Sequence, residues 1–204
     1  MNRKFWNDVY LKKSPNEVSW FQEVPKKSLE LISEINLSPE DSIIDIGGGD
    51  SRLVDHLLDH GYRNLTVLDI SEAALDKARS RLQMQSDKVK FIATDVTKFD
   101  PQESYMLWHD RATFHFLTTT QDIERYLDIA NRAVAPGGFL IVSTFSKSGP
   151  DKCSGLPISQ YSDTELKSVF SNYFDNIKCL ESTHETPWGT TQDFVFCGFK
   201  KRVF

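Results

Sequence analysis

Apolar and polar positions recur along this chain with two different periods, and the period switches repeatedly between them. Residues 42–46 (SIIDI) make a short apolar run of strand length. Leu53, Val54, Leu57 and Leu58 then share one helical face, and Gly61 ends that helix. A second strand is predicted over 64–69 (NLTVLD), followed by a helix that Ser71 can cap and whose inner face is Leu75, Ala78 and Leu82. Third and fourth strands fall near 88–93 (KVKFIA) and 104–109 (SYMLWH). The next helix carries Ile123, Tyr126, Leu127, Ala130 and Val134 and stops at Pro136-Gly137-Gly138. The most apolar run, FLIVSTF at 139–145, is the fifth strand. A Gly-, Pro- and Ser-rich loop at 146–160 is long enough to suggest a function. Ser162 and Glu165 form a capping box ahead of Leu166, Val169, Phe170 and Tyr173. The last strand-like runs, 176–183 and 191–199, flank a turn at Pro187, Trp188 and Gly189, so they pair as an antiparallel hairpin. The pattern is that of α/β units closed by a hairpin, one domain over 1–204, with 1–28 as an N-terminal helical lid.

Composition sharpens this picture in a few places. The 204 residues are 39% apolar and 26% charged, an ordinary globular balance that needs no metal or disulfide staple. A net charge of −5 disfavours a nucleic-acid polymer as the main partner. The chain shows no apolar run of the ~20 residues a membrane span requires, and its start shows no signal-peptide core, so a cytoplasmic protein without a membrane partner is expected. Three widely spaced cysteines, Cys153, Cys179 and Cys197, fit a reducing compartment, with Cys153 exposed in its loop and a bystander. The histidines show no metal-ligand spacing, His56 and His60 read as solvated, and no G-x-S-x-G nucleophile elbow is present. No metal is expected.

The chemistry concentrates where the first strand ends, in Asp45-Ile46-Gly47-Gly48-Gly49-Asp50. Glycines there let the backbone turn sharply and approach a ligand, and the following helix presents unpaired N–H groups. Asp69, followed by Ile70, ends the second strand, where an acid can bind both hydroxyls of a ribose. Asp95 follows the third strand at the same edge, placed to meet an adenine amino group. A nicotinamide dehydrogenase would share the ribose acid, but its G-x-G-x-x-G/A fingerprint meets Arg52 at the third position here, a side chain that would crowd the helix–strand contact.

DIGGGDS, LDIS, ATDV and AVAPGGFLIVSTF together resemble the motifs of the class I methyltransferase family over most of the chain. The resemblance implies a Rossmann-like, doubly wound seven-stranded sheet of order 3-2-1-4-5-7-6 with strand seven antiparallel. It implies S-adenosylmethionine as cofactor and S-adenosylhomocysteine as product. Asp45, Gly47, Gly48 and Gly49 would then flank the methionine moiety, Asp69 with Ile70 the ribose, and Asp95 with Val96 the adenine. In the strand-four segment, DRATF is similar to a run in lysine methyltransferases acting on elongation factors and to one in thiopurine-type enzymes. Asp110, His115 and Phe116 are the acceptor-side candidates that follow, with Asp110 positioning an amine and taking its proton, or else capping the next turn. Trp6 and Tyr10, joined by Trp20 and Phe21, could cover the cofactor, since aromatic faces attract a sulfonium. The acceptor is expected to be a nitrogen, such as that of a protein lysine. A small molecule methylated at nitrogen, sulfur or oxygen, and a non-catalytic cofactor-binding subunit, are the alternatives; the oligomeric state is not legible.

Overall fold

The computed structural model describes residues 2–203. Its sheet strands are β1 (Ser42–Ile46), β2 (Asn64–Asp69), β3 (Val89–Ala93), β4 (Tyr105–Arg111), β5 (Val134–Phe145), β8 (Phe174–Glu185) and β9 (Thr191–Lys201), with a separate small hairpin of β6 (Lys152–Cys153) and β7 (Leu156–Pro157). The helices are α1 (Arg3–Lys12), α2 (Lys26–Ile35), α3 (Leu53–Asp59), α4 (Glu72–Leu82), α5 (Thr120–Ala133) and α6 (Asp163–Phe170). The seven-stranded sheet has the order β3-β2-β1-β4-β5-β9-β8. β1 to β5 run parallel, and β9 is antiparallel to both its neighbours. With β8 and β9 counted as the sixth and seventh strands, this is the order the family resemblance implies.

Each face of the sheet carries its own core, because side chains alternate along every strand. Ile43, Leu65, Val67, Leu107 and Ile141 pack under α2, α3 and α4 through Leu31, Ile32, Val54, Leu57 and Leu75. Ile44, Ile46, Leu68, Trp108, Leu140 and Val142 pack against Tyr126, Ala130, Leu166 and Phe170 of α5 and α6. Local signals set the helix starts. The Ser71 hydroxyl accepts from Ala74 N at 3.2 Å, and the box of Ser162 and Glu165 closes at both of its hydrogen bonds.

Two features differ from the sequence pattern. The helix at 120–133 ends one residue before Val134, which opens β5, and an irregular register between Tyr105 and Leu107 lets β5 begin before the apolar run at 139. The 146–160 loop is not featureless, because Ser154 (φ 52°) and Gly155 (φ 76°) turn the β6–β7 hairpin. That hairpin buries Cys153, so this thiol is a wall residue and not an exposed bystander.

Cys179 and Cys197 stand directly opposite on β8 and β9, with Cα atoms 4.1 Å apart, and are joined as a disulfide. A separation of 18 residues conceals this pairing in the sequence, so cysteine spacing does not carry the expectation of a reducing compartment. On the chain-entropy account, closing a ring of this size stabilises the fold by about 3 kcal/mol. Reduction should therefore lower the urea midpoint of unfolding; an unchanged midpoint would mean that strand pairing alone holds the hairpin.

Candidate functional site

The carboxyl ends of the central strands open onto one cleft, the edge at which open α/β sheets place ligands. Register decides which side chains enter it. Asp45 pairs with His109 across β1 and β4, and with Val67 across β1 and β2. Counting in twos, Asp45, Asp69, His109 and Arg111 share one face, the face covered by α2, α3 and α4. All four line the cleft, which encloses about 870 Å3 with its open mouth included.

The glycine turn is shaped by what crowds it. Gly47 (φ 63°) and Gly49 (φ 49°) both sit in the left-handed region. A Cβ on Gly47 would collide with the Thr113 hydroxyl, and one on Gly49 would lie 2.7 Å from the Tyr10 hydroxyl and 3.0 Å from Asp69 Oδ2. Tyr10 and Asp69 therefore converge over the turn. Beyond it, Arg81 pairs with both Asp50 and Asp55 and donates to Ser51 O at 2.8 Å, which ties the turn to α4. Arg52 points away, to Glu23 Oε2 at 3.2 Å and over the Phe21 ring, so it does not crowd the contact between α3 and the sheet.

Asp69 accepts from Ser71 N at 2.7 Å and is almost entirely buried. Burial pushes its carboxyl up to about 7, against the lowering pull of backbone N–H donors. Leu68, Ile70, Thr94 and Val96 make the wall beside it, a surface suited to the flat face of a base. The Asp95 carboxylate is not on that wall; its Oδ1 accepts from Thr97 N at 3.0 Å and Thr97 Oγ1 at 2.8 Å, capping the turn at 96–98.

The N-terminal segment roofs the cleft with Trp6, Tyr10 and Trp20, whose rings meet one another and Phe116 at centroid distances of 5.2–6.5 Å. Specific polar contacts hold it down. The Ser71 hydroxyl donates to Asn7 Oδ1 at 2.8 Å, Arg3 Nη2 to Ala93 O at 3.2 Å, and Arg111 Nη1 to Trp20 O at 3.0 Å.

Of the three acceptor-side candidates of the sequence, Phe116 lines the cleft, while Asp110 and His115 lie off its wall. Asp110 pairs with Ile46 and faces the α5 side, fully buried, where its carboxylate accepts from Thr113 N (2.9 Å), Phe114 N (3.2 Å) and the Tyr126 hydroxyl (2.7 Å). Burial raises it to about 6 while these donors oppose the rise. It caps the turn at 114–116 and does not reach the cleft. His115 is fully buried beside the rings of Phe116 and Phe145, at 4.6 and 4.9 Å, and also lies off the cleft wall. Burial, then the charge of Arg111, lowers it to about 3, so it stays neutral.

Their neighbours take their place. His109 Nδ1 lies 2.7 Å from Asp45 Oδ1 and its Nε2 lies 2.9 Å from the Ser28 hydroxyl, and all three residues line the cleft. In the tautomer that carries the proton on Nδ1, Nδ1–H donates to the Asp45 carboxylate and Nε2 accepts from Ser28. The sequence motifs do not point to His109, Arg111, Ser28 or Cys153 as site residues. Counting faces along W-H-D-R from Asp45 would have found the first two; nothing in the sequence places Ser28 or Cys153.

Asp110→Ala should leave three donors without a partner in a dry core, each costing about 1–3 kcal/mol. Chemical denaturation should show a loss of at least about 3 kcal/mol. A loss below about 0.5 kcal/mol, the range of ordinary surface substitutions, would contradict the cap.

Comparison with known proteins agrees with this geometry. Residues 43–138 match a family model described as a methyltransferase domain. The eEF1A lysine and N-terminal methyltransferase homolog of Drosophila melanogaster is 28% identical over 143 residues, covering 66% of this chain but 21% of that protein. The chain thus spans about a fifth of the length of such relatives. A structure from work on conversion of a disulfide bond into a thioacetal group in echinomycin biosynthesis superimposes with a TM-score of 0.79 at 18% identity, covering 98% of this chain and 93% of that one. The N-methyltransferase NodS of Bradyrhizobium japonicum, in complex with S-adenosylhomocysteine, does so with a TM-score of 0.70 at 17% identity, covering 96% and 97%. Sheet order, glycine turn and the match over residues 43–138 together support a class I S-adenosylmethionine-dependent methyltransferase.

Proposed function

We propose that this protein methylates a nitrogen acceptor, with proton removal through Ser28, His109 and Asp45. The observation that carries the reading is the hydrogen-bonded chain of those three side chains on the wall of the cleft. S-adenosylmethionine, when bound, supplies an electrophilic methyl group on a sulfonium. Asp69 would hold the ribose hydroxyls, Ile70 and Val96 would flank the adenine with Asp95 holding the turn behind it, and Asp45 with Gly47, Gly48 and Gly49 would border the amino-acid tail. Trp6 and Tyr10, within a lid over 1–28, would close the cleft and present ring faces to a cation.

Methyl transfer depends chiefly on alignment and on exclusion of water, which a roof of aromatic rings provides. A protonated amine must also lose a proton before it can attack, because its lone pair is the nucleophile. The Ser28 hydroxyl can take that proton as it hands its own to His109 Nε2, and the imidazolium so formed faces the Asp45 carboxylate. The printed names of relatives, an eEF1A lysine and N-terminal methyltransferase and an N-methyltransferase, support nitrogen as the acceptor atom. The acceptor partner is a small molecule or a protein, and the net charge of −5 speaks against a nucleic acid.

Isotopically labelled cofactor, incubated with the protein and separated protein and metabolite pools, should label an acceptor that yields an N-methyl product on hydrolysis. A labelled oxygen or sulfur would contradict the reading. With that acceptor, His109→Asn should slow the single-turnover methyl-transfer rate by roughly 10²–10⁴-fold near neutral pH, with S-adenosylhomocysteine affinity unchanged. Normal rates across the pH range in both His109→Asn and Ser28→Ala would remove the relay.

Asp69 makes cofactor binding depend on pH. Ribose hydroxyls donated to the carboxylate favour its ionised form, so binding below about pH 7 should release a proton. Calorimetry should show S-adenosylhomocysteine affinity rising by up to about tenfold per pH unit as pH approaches 7, then levelling. Asp69→Asn should bind more weakly and without this slope; the same slope in Asp69→Asn would assign it elsewhere. The sign for folding is opposite. Between pH 3.8 and about 7 the unliganded folded state keeps a proton on Asp69 that the unfolded chain releases, so this group's contribution to stability declines as pH rises through that window.

A further inference from the structure

We propose that Arg111 is a carboxylate-binding subsite at the acceptor end of the cleft, so that the methyl acceptor is a small amine that also carries a carboxylate. The inference rests on the reading of this cleft as a methyltransferase site and narrows its substrate class.

Arg111 stands at the carboxyl end of β4 and lines the cleft. Its Nη1 is taken by the Trp20 carbonyl, while Nη2 has no hydrogen-bond partner among the described residues. No Asp or Glu among the described residues lies within ion-pair distance of it, and the acid whose charge acts on it, Asp45, is engaged by His109. Burial lowers the guanidinium to about 10, which leaves it charged at neutral pH. A cation withdrawn from water without a counter-charge is costly unless a ligand supplies one.

The surroundings are electropositive as well. The same charge holds both His115 and His184 toward their neutral forms, after the larger effect of burial. The Ser143 hydroxyl, beside Arg111 in register on β5, has no partner among the described residues. The guanidinium lies 5.5 Å from the Phe194 ring centre, on the β9 side of β4. Asp45 and Asp69, on β1 and β2, lie to the other side. The cleft is thus polarised along the sheet, acidic toward β2 and basic toward β9. Between the two ends, Trp6, Trp20 and Phe116 offer flat apolar walls for the body of a small molecule.

A carboxylate could come from the acceptor or from the amino-acid tail of the cofactor, and two titrations separate these sources. Benzoate and its neutral analogue benzamide are titrated into the protein saturated with S-adenosylhomocysteine, read by tryptophan fluorescence and by heat. Benzoate should bind at least tenfold more tightly than benzamide. That preference should vanish in Arg111→Gln, which keeps a donor for Trp20, and persist in part in Arg111→Lys. Equal binding of the two probes, or binding of neither, overturns the proposal without requiring any variant to fold. In the second titration, S-adenosylhomocysteine is compared with methylthioadenosine, which lacks the amino-acid tail. Arg111→Gln should leave both affinities unchanged. A loss of tenfold or more for S-adenosylhomocysteine alone would give the carboxylate to the cofactor and overturn the acceptor assignment. Wild-type protein that binds no S-adenosylhomocysteine would instead defeat the methyltransferase reading on which the proposal stands.

Discussion

Adjacent residues on a β-strand face opposite ways, and on β4 this constraint separates chemistry from support. Register with β1 puts His109 beside Asp45 and Asp110 beside Ile46. One strand therefore sends His109 and Arg111 into the cleft and Trp108 and Asp110 into the opposite core. The two faces work together. The Trp108 indole donates to the Tyr126 hydroxyl, which donates to Asp110, which holds the backbone of Thr113 and Phe114. Thr113 in turn packs on Gly47 and donates to Ile46 O at 3.2 Å. The buried network behind the sheet thus braces the glycine turn in front of it.

Electrostatics then distinguishes the buried ionisable groups by the company they keep. Asp69 and Asp110 are both raised by burial, but Asp110 has donors on both carboxylate oxygens, while Asp69 is held by backbone N–H groups and borders the cleft. A carboxylate with capacity left for further donors at the cleft wall is suited to a diol. His109, with a partner on each ring nitrogen, is held in one tautomer and one orientation, whereas His115 has neither among the described residues. Preorganisation of this kind is what a proton acceptor requires, and it needs no movement of the scaffold.

The sequence made most of the fold legible because strong local signals agreed. Short apolar strands, the caps at Ser71 and Ser162, the Pro136-Gly137-Gly138 stop and the final hairpin all point to one topology. The glycine turn and Asp69 stood out because their residue types are needed at a strand's end. What stayed hidden was set by contacts distant in sequence. Ser28 reaches His109 across 81 residues, Cys153 enters the cleft by way of the β6–β7 hairpin, and Cys179 meets Cys197 only through β8–β9 register. The choice of Asp110 and His115 over His109 had a different origin. Residue type alone singles them out, whereas the face of β4 is set by its register with β1 and the burial of His115 by Phe116 and Phe145.

The central claim is that the face carrying Asp45, Asp69 and His109 holds the cofactor with its sulfur toward β4. A crystal structure of the complex with S-adenosylhomocysteine tests it most directly. Both ribose hydroxyls should lie within hydrogen-bond distance of the Asp69 carboxylate, with the sulfur facing the Ser28–His109 pair beneath the Trp6 and Trp20 rings. A ribose held away from Asp69, or a sulfur turned toward β3 with the His109 side of the cleft closed off, would contradict it.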